Sequence, residues 1–415
     1  MTTAEIITIG TEIMTGQIVD FNARHIANML TEKGIRVLFQ TSIGDDEEVV
    51  KSALRVANDR VRLIITTGGL GATANDITRE AVSDCFCVPL IPDKKSRMRL
   101  QKYFVNRHTN RRNEYRRQSL IPEGSVVLYN DYGTATGFAV HHEGKEIVCL
   151  PGVPREMQLM LHKYLERYIQ QHKAGKRCSV TRNLHTFGVS ERAVEDTVKD
   201  CWANTGQQKA ITLVHDGMVT IQTQATASER KKAVALLDKM ERVLRKKFGH
   251  AVFGAGEETL EYAVFTLLKE KNTTIAVAES CTGGLVSDKL TNIPGISRFF
   301  LQGVVAYSNK AKEDVLGVPG KLVMKHGSVS SPVAKAMAEG IKKRAAADIG
   351  VGITGIAGPA GATPGKPVGL VYIAVAENGL VRVKKCRFRG SRIDVKNFSA
   401  NTALNMIRLA LLDDR

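Results

Sequence analysis

Short apolar runs alternate with longer stretches of helical spacing along most of the chain. Glu5 to Ile9 reads as a strand, Phe21 to Glu32 places Ile26, Met29 and Leu30 on one helical stripe, Val37 to Ile43 reads as a second strand, and Val49 to Asn58 as a second helix. Leu63 to Thr67 is apolar without alternation, which predicts burial on both faces and hence a parallel sheet. Residues 1 to 172 are therefore expected to form a doubly wound α/β domain.

A different pattern predicts a small α+β domain over residues 173 to 253. Arg182 to Phe187 reads as a strand, Ser190 is placed to cap a helix beginning at Glu191, and Ile211 to His215 with Met218 to Ala225 flank Asp216-Gly217 as a hairpin. An amphipathic helix, Glu229 to Phe248, closes this region, and Gly254-Ala255-Gly256 is expected to be a linker.

Residues 254 to 415 again predict an α/β domain. Helix Leu260 to Lys271 precedes the buried strand Thr274 to Ala278, which runs into Glu279-Ser280-Cys281-Thr282-Gly283-Gly284 and a helical pattern through Leu285, Val286 and Leu290. Strand Gln302 to Tyr307, helix Ser331 to Arg344, strand Ile349 to Thr354, a hairpin about Asn378-Gly379 and the final helix Asp394 to Leu412 follow.

Composition narrows the function classes. The chain has 415 residues and 43% hydrophobic content, enough for two or three domains. It shows no apolar run of about 18 residues and no leader-like start, so a cytoplasmic protein without a membrane span is expected. Its seven cysteines form neither a disulfide framework nor zinc-finger spacing. The net charge of +17 raises a nucleic-acid reading, but Lys94 to Arg117 alone holds ten basic residues and one acidic. A basic helix of that kind suits a solvated face or the rim of an anionic-ligand site, and nucleic-acid binding stays an unproven alternative. His141, His142, His215 and His326 have no metal-ligand spacing with nearby Cys or carboxylates, although His326 lies where it would border a site.

Two stretches carry candidate chemistry. A strand end followed by Gly283-Gly284 presents Ser280 or Cys281 as a nucleophile, with the next helix's amides available to an oxyanion. Lys310 and Lys312 follow the next strand, and a lysine acts as a base only where burial keeps it neutral. In the N-terminal region Gly10-Thr11-Glu12, Gly44-Asp45-Asp46 and Gly68 to Asp76 lie beyond predicted strand ends, where ligands bind in such sheets. Glycine amides there would cradle phosphate, and carboxylates would hold a bridging metal.

The segments AESCTGG, YSNKAK, HGSVS (His326 to Ser330) and GITGIAGPAG (Gly352 to Gly361) closely resemble the nicotinamide mononucleotide deamidase domain of the CinA (competence/damage-inducible protein A) family. The resemblance implies a metal-free Ser/Lys amidohydrolase of pyridine-nucleotide salvage, with Ser280 as nucleophile and Lys312 as general base. It further implies substrate binding by Thr282, Gly283, Gly284, Tyr307, Asn309, Gly355, Ala357, Gly358 and Arg392. Ser391 departs from the family's usual Asp or Asn before that arginine.

GTEIMTGQIVDFN, the GGLG loop, Gly133-Thr134-Ala135 and LPGVPREM resemble the family's MoaB/MogA-like domain, for which ADP-ribose pyrophosphatase chemistry is implied. Glu12, Gly68, Gly69, Gly71, Thr73, Arg117, Gly133 and Thr134 fall on its nucleotide site, with Asp76 as the candidate ligand of a divalent metal such as Mg. Ala72, Asn75, Tyr115 and Arg117 replace the family's Pro, Asp, Asn and Lys, so phosphate binding is expected to outlast metal-dependent hydrolysis. The middle region matches the family's KH-like domain but lacks a Gly-x-x-Gly clamp, which favours a connector or dimer element. A homodimer is implied by resemblance only. The alternatives left open are a metal-dependent pyrophosphatase with an accessory C-terminal domain and a nucleic-acid-associated competence or DNA-damage protein.

Overall fold

The computed structural model describes residues 2–105, 116–172, 178–202 and 208–413. Tyr115, Arg111 and Arg112 lie outside them. Two compact units form: Met1–Val180 with Ala225–Leu236, and Thr181–Gln224 with Leu237–Arg415.

In the N-terminal unit the strands in chain order are β1 (Thr3–Ile9), β2 (Arg36–Ile43), β3 (Leu63–Thr67), β4 (Leu90–Pro92), β5 (Leu120–Pro122), β6 (Val126–Leu128), β7 (Gly137–His142) and β8 (Lys145–Leu150). Six of them form one sheet of order β2-β1-β3-β8-β7-β6. The contiguous apolar runs arise because both faces are covered. Ile6, Leu63 and Ile65 face one core with Ile26 and Leu161, whereas Ile7 and Ile64 face the other with Leu54 and Val82. The sheet is parallel through β2, β1, β3 and β8; β7 then pairs antiparallel with β8, and β6 antiparallel with β7. Glu143 and Gly144, both at positive φ, make the tight turn between β7 and β8 that produces this mixed edge.

A four-stranded sheet, order β10-β11-β9-β12, lies for the most part in the second unit and is made by β9 (Cys178–Phe187), β10 (Gln208–His215), β11 (Met218–Ala227) and β12 (Val252–Ala255). Asp216 and Gly217 take the positive φ values that the expected hairpin requires. Gly254-Ala255-Gly256 is not a free linker. Gly254 and Ala255 pair antiparallel with β9, the Gly256 amide donates to Asn183 O, and the Ala255 amide donates to the Glu258 carboxylate. A glycine is tolerated there because β12 is an edge strand, flanked by the strand-forming Val252 and Phe253.

The second sheet of this unit has the order β14-β13-β15-β16-β17, from β13 (Ile275–Glu279), β14 (Phe300–Val305), β15 (Ile349–Gly355), β16 (Leu370–Glu377) and β17 (Leu380–Arg387). β13, β14 and β15 are parallel, so their carboxyl ends lie together at one edge, the position at which α/β sheets bind ligands. The small residues in β13 and β15 have one cause. Ile275 and Val277 face the core beneath helices Leu260–Lys271 and Arg392–Leu412, and Ala276 and Ala278 face helix Ser331–Ala345. That helix comes so close that a Cβ on Gly352 would stand 2.3 Å from the Ala334 carbonyl oxygen. The small sheet in front joins the same unit through Phe187, which enters the larger core, and through Asn401, whose side-chain amide donates to Asp216 O at 3.0 Å.

Among the described residues no helix is long and apolar enough to cross a membrane. The close helix approach predicts that Gly352→Val overpacks the interface and destabilises the unit by at least about 1–3 kcal/mol. A lowered urea midpoint for full-length protein, beside a nearly unchanged midpoint for the exposed-surface control Met324→Ala, checks it.

Candidate active site

The end of β13 is a tight switch from strand to helix. Gly283 and Gly284, at φ +64° and +95°, turn the chain into helix Leu285–Thr291. The fully buried Glu279 closes this turn. Its Oε2 accepts from the Gly284 and Val286 amides at 3.0 and 3.2 Å, and its Oε1 accepts from the Ser287 amide and hydroxyl at 2.9 and 2.8 Å. The expectation that these helix-start amides hold an oxyanion is therefore corrected, because a carboxylate built into the chain already occupies them. Gly283 N is also spent, on Ser280 O at 3.1 Å. The loop amides left beside the serine are those of Cys281 and Thr282.

The end of β14 delivers the second group. Ser308 caps helix Asn309–Leu316 by accepting from the Ala311 amide at 3.0 Å, and this helix turns Lys312 inward beside Leu316. Lys312 is 2% exposed. Its Nζ lies 3.1 Å from Ser280 Oγ, 2.9 Å from Ala306 O and 3.3 Å from Tyr307 O. Burial lowers its pKa from the ordinary lysine value. A neutral amine has two N–H donors, which suit the two carbonyls, and one lone pair, which is then left to face the serine hydroxyl. Lys310 projects outward instead and pairs with Asp314 at 3.1 Å.

Cys281, the rival nucleophile, is buried, and desolvation pushes its thiol up to about 12. Among the described residues no base is hydrogen-bonded to its sulfur as Lys312 is to Ser280.

Both groups open on a cavity of about 440 Å³, within the size range of small-molecule sites. Of the sequence-predicted binding residues, Tyr307, Gly355, Ala357, Gly358 and Arg392 line it. Thr282, Gly283, Gly284 and Asn309 do not: Thr282 is buried behind the turn, the two glycines serve the turn itself, and Asn309 lies exposed at the start of its helix. Arg392 donates to Gly358 O at 2.7 Å and to the Tyr307 hydroxyl at 3.0 Å. Ser391 keeps the helix cap expected of an Asp or Asn, accepting from the Asp394 amide while its own amide donates to the Asp394 carboxylate. Gly327, Ser328, Thr354 and Lys366 also line the cavity and were not singled out from sequence, whereas His326 only borders it through its carbonyl.

The N-terminal candidates divide between a cavity wall and a glycine-rich loop. Gly133 and Thr134 line a cavity of about 390 Å³ with Ser96, Arg99, Lys102 and Asn130, but Glu12, Gly68, Gly69, Gly71, Thr73 and Arg117 are not in its wall. The glycine-rich loop is instead built around Asp76. Its Oδ1 accepts from the Gly71 amide at 2.7 Å, and its Oδ2 accepts from the Thr73 amide and hydroxyl at 2.8 and 2.5 Å. Gly68 N donates to Leu150 O. Arg117 donates to Thr73 O, Asp76 O and the Glu80 carboxylate, so it too holds the loop.

The Gly68, Gly71 and Thr73 amides are thus spent within the protein, whereas the amides of a phosphate cradle point at a ligand. Asp76 Oδ2 already accepts two hydrogen bonds, and no three His, Cys, Asp or Glu side chains gather to hold an ion among the described residues, so the loop offers no ready-made protein cage for a divalent metal. Mg2+ is therefore expected to leave the melting midpoint of the protein unchanged, and Asp76→Ala to lower stability by about 1–3 kcal/mol through the unpaired loop donors. A Mg2+-dependent rise in midpoint that Asp76→Ala removes would contradict this.

Comparison with known proteins divides the chain in three. Residues 5–171 match a probable molybdopterin binding domain, residues 181–254 the damage-inducible protein CinA KH domain, and residues 257–411 the CinA C-terminal domain. A putative competence-damage inducible protein of Caldicellulosiruptor bescii is 38% identical over 410 residues, covering 99% of each chain. A CinA-like protein of Kosmotoga olearia is 40% identical over 409 residues, again covering 99% of each. The crystal structure of a CinA protein from Thermoplasma acidophilum, 33% identical with a TM-score of 0.38, covers 40% of this chain and 98% of its own. Similarity that runs from end to end at this level identifies the chain as a member of the CinA family, with a MoaB/MogA-like N-terminal domain, a KH-like middle domain and a CinA C-terminal domain.

Proposed function

We propose that the chain hydrolyses the carboxamide of nicotinamide mononucleotide, giving nicotinate mononucleotide and ammonia. The observation that carries this reading is the buried Lys312 amine, 3.1 Å from Ser280 Oγ at the mouth of a cavity with no carboxylate in its wall. The substrate class comes from the resemblance of the AESCTGG and YSNKAK segments to the family's deamidase domain.

In this mechanism the neutral Lys312 amine takes the Ser280 proton as Oγ bonds to the amide carbon. Lys312 then returns that proton to the departing nitrogen, which leaves as ammonia when the C–N bond breaks. Water repeats the cycle on the resulting ester: Lys312 takes its proton, the hydroxide oxygen bonds to the acyl carbon, and Ser280 leaves with the proton restored. The Cys281 amide, on a residue of the cavity wall, is the donor this mechanism assigns to the tetrahedral oxyanion. Ala306 O and Tyr307 O fix the amine throughout.

The pyrophosphatase alternative requires a carboxylate free to ligate metal, and the engagement of Asp76 weighs against it.

Ammonia release from nicotinamide mononucleotide by the full-length protein is expected without added metal and is expected to fall by at least about 10³-fold in Ser280→Ala and in Lys312→Ala. Retained activity in either variant would refute the Ser/Lys assignment. The same lysine gives a pH signature. Burial makes the folded state release the Lys312 proton at a lower pH than the unfolded chain, so the unfolded state holds more protons between the two pKa values and stability rises with pH there. Denaturation midpoints measured across that window should climb for the wild type, and Lys312→Met should flatten the climb while abolishing turnover.

A further inference from the structure

Helix Arg392–Leu412 faces the candidate site along one side and the small four-stranded sheet along another. Arg392 and Lys396 are spaced i, i+4 and so lie one above the other on the helix. Arg392 lines the cavity, and Lys396 lies over the nucleophile turn, where a Cβ on Gly283 would stand 3.7 Å from Lys396 Nζ. On the adjoining face Asn397, Phe398 and Asn401 receive Asp216-Gly217, the tip of the hairpin of β10 and β11.

This seat is defined by both polarity and shape. Asn397 Nδ2 donates to the Asp216 carboxylate at 3.3 Å, and Asn401 Nδ2 donates to Asp216 O at 3.0 Å from a side chain that is almost wholly buried. Gly217 is at φ +76°, and a Cβ there would stand 3.2 Å from Phe398 Cδ1, so the tip lies directly on that ring. Phe398 in turn packs on Phe388 with ring centres 5.7 Å apart, and Phe388 belongs to the segment that leads into the helix cap at Ser391. Met218, just past the tip, packs against the core beneath the same helix. Asp216 and Gly217 both hold the positive φ of a tight two-residue turn, which gives the tip a shape of its own. A rigid tip against the second turn of a helix limits how its first turn can sit.

We propose that Asp216 and Gly217 are positioning residues for the site. Seated on Asn397, Phe398 and Asn401, they hold the start of helix Arg392–Leu412 so that Arg392 stays bonded to Gly358 O and the Tyr307 hydroxyl in the cavity wall. The proposal rests on the reading of Ser280 and Lys312 as an amidase, and it gives the KH-like domain a part in that activity. Ser280 and Lys312 are carried by the end of β13 and by helix Asn309–Leu316, so a displaced hairpin moves the wall and spares the reacting pair.

The test follows ammonia release from nicotinamide mononucleotide by full-length wild type, Gly217→Val, Asp216→Ala, Asp216→Asn and Val194→Ala. Gly217→Val forces a branched side chain onto Phe398 and is expected to raise KM roughly 10-fold with kcat within about twofold of wild type. Asp216→Ala is expected to raise KM by a smaller factor, and Asp216→Asn, which keeps the side-chain oxygen and tolerates positive φ, to restore it. Val194→Ala opens the core of the same small domain away from the tip and is expected to lower the melting midpoint without changing KM. An unchanged KM in Gly217→Val, a loss carried by kcat alone, or an equal rise in Val194→Ala would overturn the assignment. A second arm measures amide hydrogen exchange without substrate, where Gly217→Val and not Val194→Ala is expected to speed exchange at residues 395 to 400. Unchanged exchange there overturns the proposal. Faster exchange in a protein whose wild type releases no ammonia would uphold the seating of the helix by the hairpin and refute the amidase reading.

Discussion

A lysine amine buried without a carboxylate is the constraint on which the C-terminal site depends. Taking an ammonium out of water is costly, and the cost falls when the group gives up its proton. Three structural choices around Lys312 follow from this. The capped helix Asn309–Leu316 keeps the stem rigid, two main-chain carbonyls take the N–H groups, and the remaining direction is given to Ser280. An acid beside the amine would have stabilised the protonated form and removed the base. The carboxylate nearest in sequence to the serine, Glu279, is turned the other way, into the amides of the next helix.

The parallel arrangement of β14, β13 and β15 is what makes this possible. Their carboxyl ends bring Tyr307 and Lys312, Ser280, and Thr354 to one edge although the chain separates them widely. The small residues of β13 and β15 are explained by the helix on the far face, whose backbone needs the space that Ala276, Ala278 and Gly352 leave.

Much of this was legible from periodicity, because apolar runs covered on both faces and Asp-Gly or Asn-Gly turns carry local signals. The hairpin of β7 and β8 was not, since Glu143-Gly144 lacks the Asn or Asp that marks such a turn. Gly254 and Gly256 read as punctuation, whereas the strand that they end is held by pairing to residues some 70 positions earlier, which local composition does not encode. At the site, Ser280 and Lys312 were readable through family resemblance and not through spacing alone. Glu279 was missed even though a carboxylate just before a helix start is a recognisable capping signal. Lys366 was missed because a lysine in a Gly/Pro-rich loop ordinarily signifies solvent.

The occupied helix start has a consequence for turnover. In many α/β proteins such a terminus retains anions, and the proposed reaction creates one by converting a neutral carboxamide into a carboxylate beside Ser280. Here Glu279 has already taken the amides and placed its own negative charge behind the turn. The carboxylate made in the proposed reaction would therefore find the helix-start amides already filled, and release of that product is favoured by an anion that belongs to the chain itself.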